Sequence, residues 1–313
     1  MIWTITPNPA LDYTYRVAKL NVGIPHRVND VSVRAGGKGV NVARVLGQLG
    51  IQTVATGFLG GANGTRFRQL LSELPQSGRI ESQFIDTDAD TRLSIAVIED
   101  DHAATVFNEA GSAPSDAAWE ELLNLLESGL RPGDMVACCG SLPGDTDPEW
   151  VGRIVETTQR AGARILVDAT GATLQAACDA GADFVKPNDD ELRESTGCED
   201  VAAGAQQLLA SRVGTVIVSE GSRGMSVHTR EGAWRAAPAQ HVEGNPTGAG
   251  DASVAAWCLY LSENTEAVDG SVLAQALPHA VALSGAAVAC PVAGEVDTDL
   301  YTQMTPKVKV EEY

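Results

Sequence analysis

The chain has 313 residues, of which 44% are apolar and 20% charged, so it can bury a full core and has the composition of a globular rather than a disordered protein. The net charge of −19 argues against nucleic-acid binding, and the N-terminus lacks the basic region of a secretory signal, so we expect a cytoplasmic protein. The six cysteines show no CxxC spacing, which indicates reduced core residues rather than a zinc site or a disulfide framework.

Apolar β-rich runs alternate with helical stretches along most of the chain. Strands are predicted at 2–6, 52–58, 134–140, 163–169, 183–188 and 215–221. Amphipathic helices are predicted at 39–50, 115–129, 147–162 and 204–214, with glycine at their ends. Because such alternation forms βαβ units, the pattern predicts one Rossmann-like three-layer α/β/α domain over residues 1–313, with a mostly parallel sheet.

Two segments, at about 11–34 and 86–109, do not follow this alternation of strands and helices. They alternate apolar and polar residues and contain turn-like interruptions, which is typical of hairpins. The pattern predicts a small second sheet inserted in the domain, too small to have a core of its own. We expect it to act as a lid over a cleft and to pair with a second copy of the chain, forming a homodimer.

The most apolar tract covers residues 276–294. It consists of small residues interrupted by Pro278, His279 and Pro291, which suits close helix packing better than a bilayer span. We therefore expect no membrane role. Residues 1–50 also depart from the acidic average, with six Lys and Arg against two acidic residues, as a protein that binds an anionic small molecule would need.

The stretch GNPTGAGDA, residues 244–252, places glycines at the predicted start of a helix and leaves Asp251 as its single charged residue. Backbone N–H groups at a helix N-terminus attract anions, and glycine lets a ligand approach them. Thr247 could cap this helix, so Asp251 is not needed for capping. The stretch is typical of an anion site beside an acid/base residue.

Taken singly, the glycine-rich motifs have structural explanations. AGGKGVN at 35–41 is not a Walker A loop, because Lys38 is followed by Gly39 rather than Ser or Thr, and it could be a simple turn into a helix. GAGDAS lacks the early βαβ unit of a dinucleotide-binding fold, which argues against a nicotinamide-dependent dehydrogenase. Asp251 alone could be an ordinary carboxylate at a helix start.

Six motifs occur in an order that is more specific than any one of them. They are TPNPALD at 6–12, AGGKGVN at 35–41, TR at 91–92, GSLP at 140–143, KPNDDEL at 186–192 and NPTGAGD at 245–251. Together they resemble the ribokinase-like (PfkB) carbohydrate kinases, in particular the branch of 1-phosphofructokinase and tagatose-6-phosphate kinase. The resemblance extends from residue 1 to about 295. Pro246 and Ala252 depart from the ending common in that branch, and Cys139 stands where many relatives have serine.

The resemblance implies a set of catalytic and acceptor-site residues. Asp251 would be the base that takes the proton from the attacking sugar hydroxyl, and the anion hole for the transferred phosphoryl group would be built from Gly248, Ala249 and Gly250. Sugar contacts would come from Asp12, Gly37, Lys38 and Asn41. An existing phosphate on the sugar would be held by Arg27, Arg92 and Ser141, because guanidinium groups suit bidentate phosphate binding.

The resemblance also implies a nucleotide side of the site, with ATP as phosphoryl donor and Mg²⁺ as cofactor. Its residues would be Lys186, Asn188, Ser219, Gly221, Gly224 and Ser284. Glu191 would bind Mg²⁺ indirectly, through water. Asn188 and Glu191 also have the spacing of a helix capping box, and both roles could hold. The turn at 219–224 could equally be a plain β-turn.

The expected function is an ATP- and Mg²⁺-dependent kinase of a phosphorylated ketohexose: tagatose 6-phosphate, fructose 1-phosphate or fructose 6-phosphate. Two alternatives remain. A kinase of an unphosphorylated sugar or nucleoside would not need Arg27 and Arg92 for phosphate binding. A non-catalytic regulator that binds sugar or nucleotide would be expected to lose Asp251 or the anion hole, and this sequence keeps both.

Overall fold

The computed structural model describes residues 1–100, 104–264 and 269–313. Its strands are β1 (Ile2–Thr6), β2 (Ala10–Val17), β3 (Asp30–Gly36), β4 (Thr53–Gly60), β5 (Ile80–Ser82), β6 (Ile85–Thr87), β7 (Arg92–Glu99), β8 (Ala104–Asn108), β9 (Met135–Cys139), β10 (Arg164–Asp168), β11 (Phe184–Val185), β12 (Thr215–Ser219), β13 (Met225–His228), β14 (Ala233–Ala236) and β15 (Val310–Glu312). Its helices are α1 (Lys38–Gln48), α2 (Gly61–Ser72), α3 (Asp116–Gly129), α4 (Glu149–Arg160), α5 (Gly171–Ala180), α6 (Asp189–Thr196), α7 (Val201–Leu209), α8 (Ala249–Glu263), α9 (Gly270–Val288) and α10 (Thr298–Met304).

The large sheet has the strand order β15-β14-β13-β12-β11-β10-β9-β1-β4-β5, and β6 pairs with a further part of β4. The pairs from β12 to β5 are parallel, whereas β12, β13, β14 and β15 pair antiparallel at one edge. All six predicted strands are present. The sheet is mostly parallel as predicted, and the antiparallel edge is an addition that the sequence reading did not contain.

Helices cover both faces of this sheet, because its central strands are apolar on both sides. On β1, Trp3 and Ile5 pack in one core with residues of α3, α4, α5 and α7, while Ile2 packs in a second core with α1, α8 and α9. On β9, Val136 and Met135 divide between the cores in the same way. This alternation, which follows from the two-residue period of a strand, produces the predicted three-layer α/β/α arrangement.

The small sheet has the strand order β3-β2-β7-β8. The β2–β3 and β7–β8 pairs are antiparallel, as the predicted hairpins require, and β2 pairs with β7 in parallel. Both predicted lid segments contribute to it, but residues 86–87 belong to β6 beside β4 instead, so the second lid strand begins at Arg92. Residues 101–103 of that segment lie outside the described part of the chain.

The apolar tract predicted to pack as a helix lies largely in α9, which is 19 residues long and contains Pro278. By length and composition this one helix among the described residues could cross a membrane. Half of its most apolar window is buried inside the structure, and core helices of globular proteins share these properties. The six cysteines are all free thiols; Cys198 and Cys290 are partly exposed and the other four are buried.

Candidate active site

The predicted site residues gather at the carboxyl edge of the parallel strands. Here β1 leads to the loop 7–9, β9 to Ser141, β10 ends at Asp168 and β11 is followed by Lys186. Ligand sites of open α/β sheets lie at this edge, because the connections from strand to helix open there. Helices α1 and α8 begin at the same edge and bring two of the glycine-rich motifs to it.

Helix α8 begins at the glycine-rich turn and carries Asp251 in its first turn. The N-cap is Gly248, with φ of 90°, so the expectation that Thr247 caps the helix is wrong. A side chain at Gly248 would be strained in this left-handed conformation, and its Cβ would lie 2.8 Å from the Cα of Ala293. Glycine is therefore required here both for the turn and for the close packing behind it.

Three residues of this turn were predicted to form an anion hole. Among the described residues, the N–H groups of Gly250 and Asp251 have no protein acceptor, as expected at a helix N-terminus. The N–H of Ala249 instead donates to the carbonyl oxygen of Pro246 at 3.2 Å. A Cβ on Gly250 would lie 3.8 Å from the Lys186 ammonium nitrogen. Free amides and a buried cation thus lie side by side.

Asp251 is buried, with 6% of its surface exposed. Its Oδ2 accepts a hydrogen bond from Asn41 Nδ2 at 2.8 Å, which joins the two predicted site residues. Burial and the nearby Asp168 carboxylate raise the pKa of Asp251 to about 7. The hydrogen bond from Asn41 and the charges of Lys38 and Lys186 act in the opposite direction and limit this rise. A carboxylate with this pKa is matched to general-base catalysis near neutral pH.

The sequence reading missed Asp168, the last residue of β10. Its Oδ1 lies 3.1 Å from Lys38 Nζ and its Oδ2 lies 3.7 Å from Lys186 Nζ. Although burial opposes ionisation, the charges of Lys186 and Lys38 hold the pKa of Asp168 below its ordinary value. One buried carboxylate therefore links a lysine of the acceptor motif to a lysine of the nucleotide motif. The sequence did contain a signal for Asp168 as a site residue, because an acidic residue stands at the carboxyl end of a buried strand.

The predicted sugar pocket contains Asp12 on β2, whose carboxylate lies directly over Gly36 on β3. A Cβ on Gly36 would overlap that carboxylate, so glycine is required by this close approach. Gly37 caps α1, which carries Lys38 and Asn41 into the same region. Burial raises the pKa of Asp12 to about 6, although nearby arginines oppose it. Those arginines are Arg92, Arg44 and Arg34, of which the sequence reading named only Arg92.

Arg92 and Ser141 line one cleft with a volume of about 380 Å³. Asn8 lines it as well, and its Nδ2 lies 3.4 Å from the Ser141 hydroxyl. Arg92 donates from Nε to the Asn8 carbonyl oxygen at 3.1 Å and from Nη1 to the Glu109 carbonyl oxygen at 3.2 Å. Two of the three predicted phosphate-binding residues therefore share a cleft, and Asn8 is a further polar residue there.

Arg27 falls within the segment of about 11–34 that was predicted to form the small sheet, but it does not lie on a strand. It is exposed, within the loop that joins β2 to β3. The stretch before β3 contains Pro25, which removes a backbone donor and interrupts the alternation on which the strand prediction depended.

The predicted nucleotide side follows β11 and β12. Asn188 and Glu191 form a capping box on α6, with both reciprocal hydrogen bonds at 2.8 Å, so the structural role predicted for this pair is present. Ser219 ends β12 and bridges to Asn188. Gly221 and Gly224 bound the turn that follows, and Ser284 lies half-buried on α9.

The chain matches the pfkB family carbohydrate kinases over residues 6–299. It is 33% identical to a 1-phosphofructokinase of Haemophilus influenzae over 98% of this chain and 97% of that protein. A Vibrio cholerae 1-phosphofructokinase is 34% identical over 82% of this chain and 81% of that protein.

Among solved structures, phosphofructokinase-2 from Escherichia coli in complex with fructose-6-phosphate has a TM-score of 0.86 and 26% identity, covering 97% of this chain and 98% of that chain. Arabidopsis thaliana ribokinase complexed with ribose and ATP has a TM-score of 0.72 and 18% identity, covering 97% of this chain and 98% of that chain. These matches confirm the predicted ribokinase-like fold and the predicted family. The chain belongs to the pfkB family of carbohydrate kinases.

Proposed function

We propose that this carbohydrate kinase transfers the γ-phosphoryl group of ATP to a hydroxyl of a phosphorylated ketohexose. The observation that carries the proposal is the buried Asp251 carboxylate, with a pKa of about 7, beside free helix amides and the Lys186 ammonium. The cleft shared by Arg92 and Ser141 supports an acceptor that already bears a phosphate. Because the Haemophilus influenzae and Vibrio cholerae relatives are named 1-phosphofructokinase, fructose 1-phosphate is the first acceptor to test.

In this mechanism Asp251 accepts the proton of the attacking hydroxyl as the oxygen approaches the γ-phosphorus. The N–H groups of Gly250 and Asp251 and the Lys186 ammonium stabilise the negative charge on the phosphoryl oxygens. Asp168 holds Lys38 and Lys186 in place. Asp12 binds hydroxyls of the sugar and so orients the one that reacts.

Mg²⁺ fits the site only as an ion held mainly by phosphates and water. Among the described residues no group of three or more His, Cys, Asp or Glu side chains could hold a metal ion. Mg²⁺ commonly keeps several waters and binds one or two carboxylates plus substrate phosphates, which is consistent with that finding. The Glu191 carboxylate lies at the start of α6, where it accepts a hydrogen bond from the Asn188 N–H at 2.8 Å, and it would hold Mg²⁺ through water. When bound, Mg²⁺ would neutralise charge on the phosphates.

A coupled assay of ADP release across sugars tests the proposal. The panel contains fructose 1-phosphate, fructose 6-phosphate, tagatose 6-phosphate, the free ketohexoses, ribose and a nucleoside. We expect kcat/KM to be highest for one of the sugar phosphates. Preference for a free sugar or nucleoside would favour the alternative kinase, and absence of transfer to every acceptor would favour a non-catalytic binding protein.

Arg92→Ala should raise KM for the sugar phosphate about 10- to 150-fold, the equivalent of ~1.5–3 kcal/mol for a lost charged hydrogen bond. KM for ATP should change little, because none of the predicted nucleotide-side residues lines the cleft of Arg92. Free ketohexoses should be poor substrates of both enzymes. Arg27→Ala is expected to cause the same selective rise in KM for the sugar phosphate, and an unchanged KM would assign Arg27 to a solvated loop.

Thermal unfolding must accompany these kinetics, because Arg92 also binds two backbone carbonyl groups. Equal KM increases for ATP and sugar phosphate in a folded Arg92→Ala enzyme would assign this arginine to structure instead of phosphate binding.

The small sheet should mediate a homodimer. It exposes Val31 on β3 and Val106 and Phe107 on β8, with Val22 and Ile24 exposed in the adjoining loop. The strand pairing places Val31 and Phe107 on the same face of the sheet, with Val106 on the other. Exposed apolar side chains on one face of a thin sheet favour association. Light scattering should report twice the monomer mass for the unmodified chain and the monomer mass for Phe107→Asp. Tyr313→Asp, at an exposed aromatic residue outside the small sheet, should remain dimeric. A fully active chain that stays monomeric at high concentration would contradict the dimer.

A further inference from the structure

The segment of residues 291–297, which we call the clasp, connects parts of the site that are distant in sequence. Ala293 packs against Gly248 at the start of α8. Gln48 of α1 donates from Nε2 to the carbonyl oxygen of Gly294 at 2.7 Å. The clasp is therefore attached to the helix that carries the acceptor motif and to the turn that carries the free amides.

Glu295 extends from the clasp to two arginines. Its Oε1 lies 2.9 Å from Arg34 Nη2 on β3 and 3.7 Å from Arg44 Nη2 on α1. Arg44 is buried, with 4% of its surface exposed. Arg34 Nη1 and Arg44 Nε are also buried, and neither has a hydrogen-bond partner among the described residues. In that part of the chain, Glu295 is the carboxylate that forms ion pairs with both guanidinium groups.

The same two arginines act on Asp12. Asp12 on β2 lies directly opposite Arg34 in the antiparallel pairing with β3, so the two side chains share one face of the small sheet. The charges that act on its carboxylate are those of Arg92 on β7, Arg44 on α1 and Arg34 on β3. Burial raises the pKa of Asp12 to about 6, and the three guanidinium groups limit that rise. Because Glu295 offsets part of the charge of Arg34 and Arg44, it moderates their attraction for Asp12.

We propose that Glu295 is a positioning residue that acts through Arg34 and Arg44 to keep the Asp12 carboxylate available to the hydroxyls of the acceptor sugar. With Glu295 present, the two guanidinium groups are held toward the clasp. Without it, they turn to the Asp12 carboxylate and compete with the sugar for its oxygens. This inference rests on the proposed function, which assigns acceptor binding to Asp12.

The test is the pH dependence of KM for the sugar phosphate that the panel identifies, measured from pH 5 to 8. In the unmodified enzyme, KM should rise as pH falls through about 6, because protonated Asp12 is a poorer acceptor. Glu295→Gln should raise KM at pH 8 about 5- to 10-fold, with KM for ATP and kcat changed less than about twofold. It should also move the inflection to lower pH, because Asp12 then experiences more net positive charge.

Arg34→Gln supplies the opposite change in charge near Asp12. Removing a cation near Asp12 should move the inflection to higher pH, and the double variant Arg34→Gln/Glu295→Gln should return it toward that of the unmodified enzyme. If the substitutions only loosened the structure, the inflection in the pH dependence of KM would move in the same direction in both single variants. Thermal unfolding establishes that each variant is folded.

An unshifted inflection in Glu295→Gln, or shifts of the same sign in both single variants, would overturn the role of Glu295 while leaving the proposed function intact. Absence of transfer to every sugar phosphate by the unmodified enzyme would overturn both proposals, and it would be seen before any variant is compared.

Discussion

Replacing Asp251 with Asn is expected to reduce kcat by about 10²- to 10⁴-fold and to leave ATP binding nearly intact. The amide has almost the same shape as the carboxylate but cannot accept the proton of the attacking hydroxyl. Steady-state kinetics with the preferred sugar phosphate give kcat, and calorimetric titration with ATP gives binding. Near-normal turnover in Asp251→Asn would remove this residue from the mechanism.

Asp116→Asn is the matched control. Asp116, like Asp251, lies in the first turn of a helix, but it is exposed on α3. If Asp251 only stabilised its helix through the dipole, the two substitutions would have similarly small effects on kcat. If Asp251 is the general base, Asp251→Asn should cause a large loss of activity and Asp116→Asn should not.

The pH dependence supplies a second measurement for Asp251. Because the base must be deprotonated, kcat/KM of the unmodified enzyme should rise with pH through about 7. A carboxyl whose pKa is raised on folding binds more protons in the folded state, so the free energy of unfolding should fall as pH rises from about 4 to about 7. Asp251→Asn should lose this contribution to the pH dependence of stability.

Replacing Asp168 with Ala is expected to lower the free energy of unfolding by about 3–5 kcal/mol, as is typical when one partner of a buried ion pair is removed. The substitution would leave the Lys186 ammonium, which is 3% exposed, without its carboxylate. Urea unfolding at pH 7 measures the effect. Glu120→Ala, which removes an exposed partner of Arg153, is the control and should change stability little.

The sign of the pH effect is opposite at Asp168. Its pKa is lowered in the folded state, so its contribution to stability is present above the ordinary carboxyl pKa near 4 and is lost as pH falls below it. If Asp168→Ala lowers the free energy of unfolding no more than Glu120→Ala does, the buried ion pair of Asp168 does not stabilise the fold as proposed.

Local pattern was sufficient for some elements of the fold, although it did not predict α2 (Gly61–Ser72) or α5 (Gly171–Ala180). The predicted strand at 2–6 coincides with β1, and the helix predicted at 115–129 differs from α3 by a single residue, its N-cap Ser115. A continuous apolar run and a 3.6-residue period are properties of the segment itself, so they can be recognised without knowledge of its neighbours. The alternation of such elements also determined the three-layer architecture.

Local pattern was insufficient for short strands whose partners are distant. β13, β14 and β15 have three or four residues each, and β14, which ends at Ala236, pairs with a strand that begins at Val310, 74 positions further on. Strands this short show little periodicity, and their stability comes from a neighbour that the segment does not contain. The antiparallel edge of the sheet was therefore visible only in the structure.

The candidate site shows the same division. Its glycine-rich turns and Asp251 were recognisable from sequence, because an anion-binding helix start requires particular residues at consecutive positions. Asp168 contacts Lys38 across 130 positions, and Glu295 contacts Arg34 and Arg44 from the far end of the chain. Electrostatic interactions depend on distance in space, so only the tertiary structure, which brings these charges within 4 Å, could decide which carboxylate holds which cation.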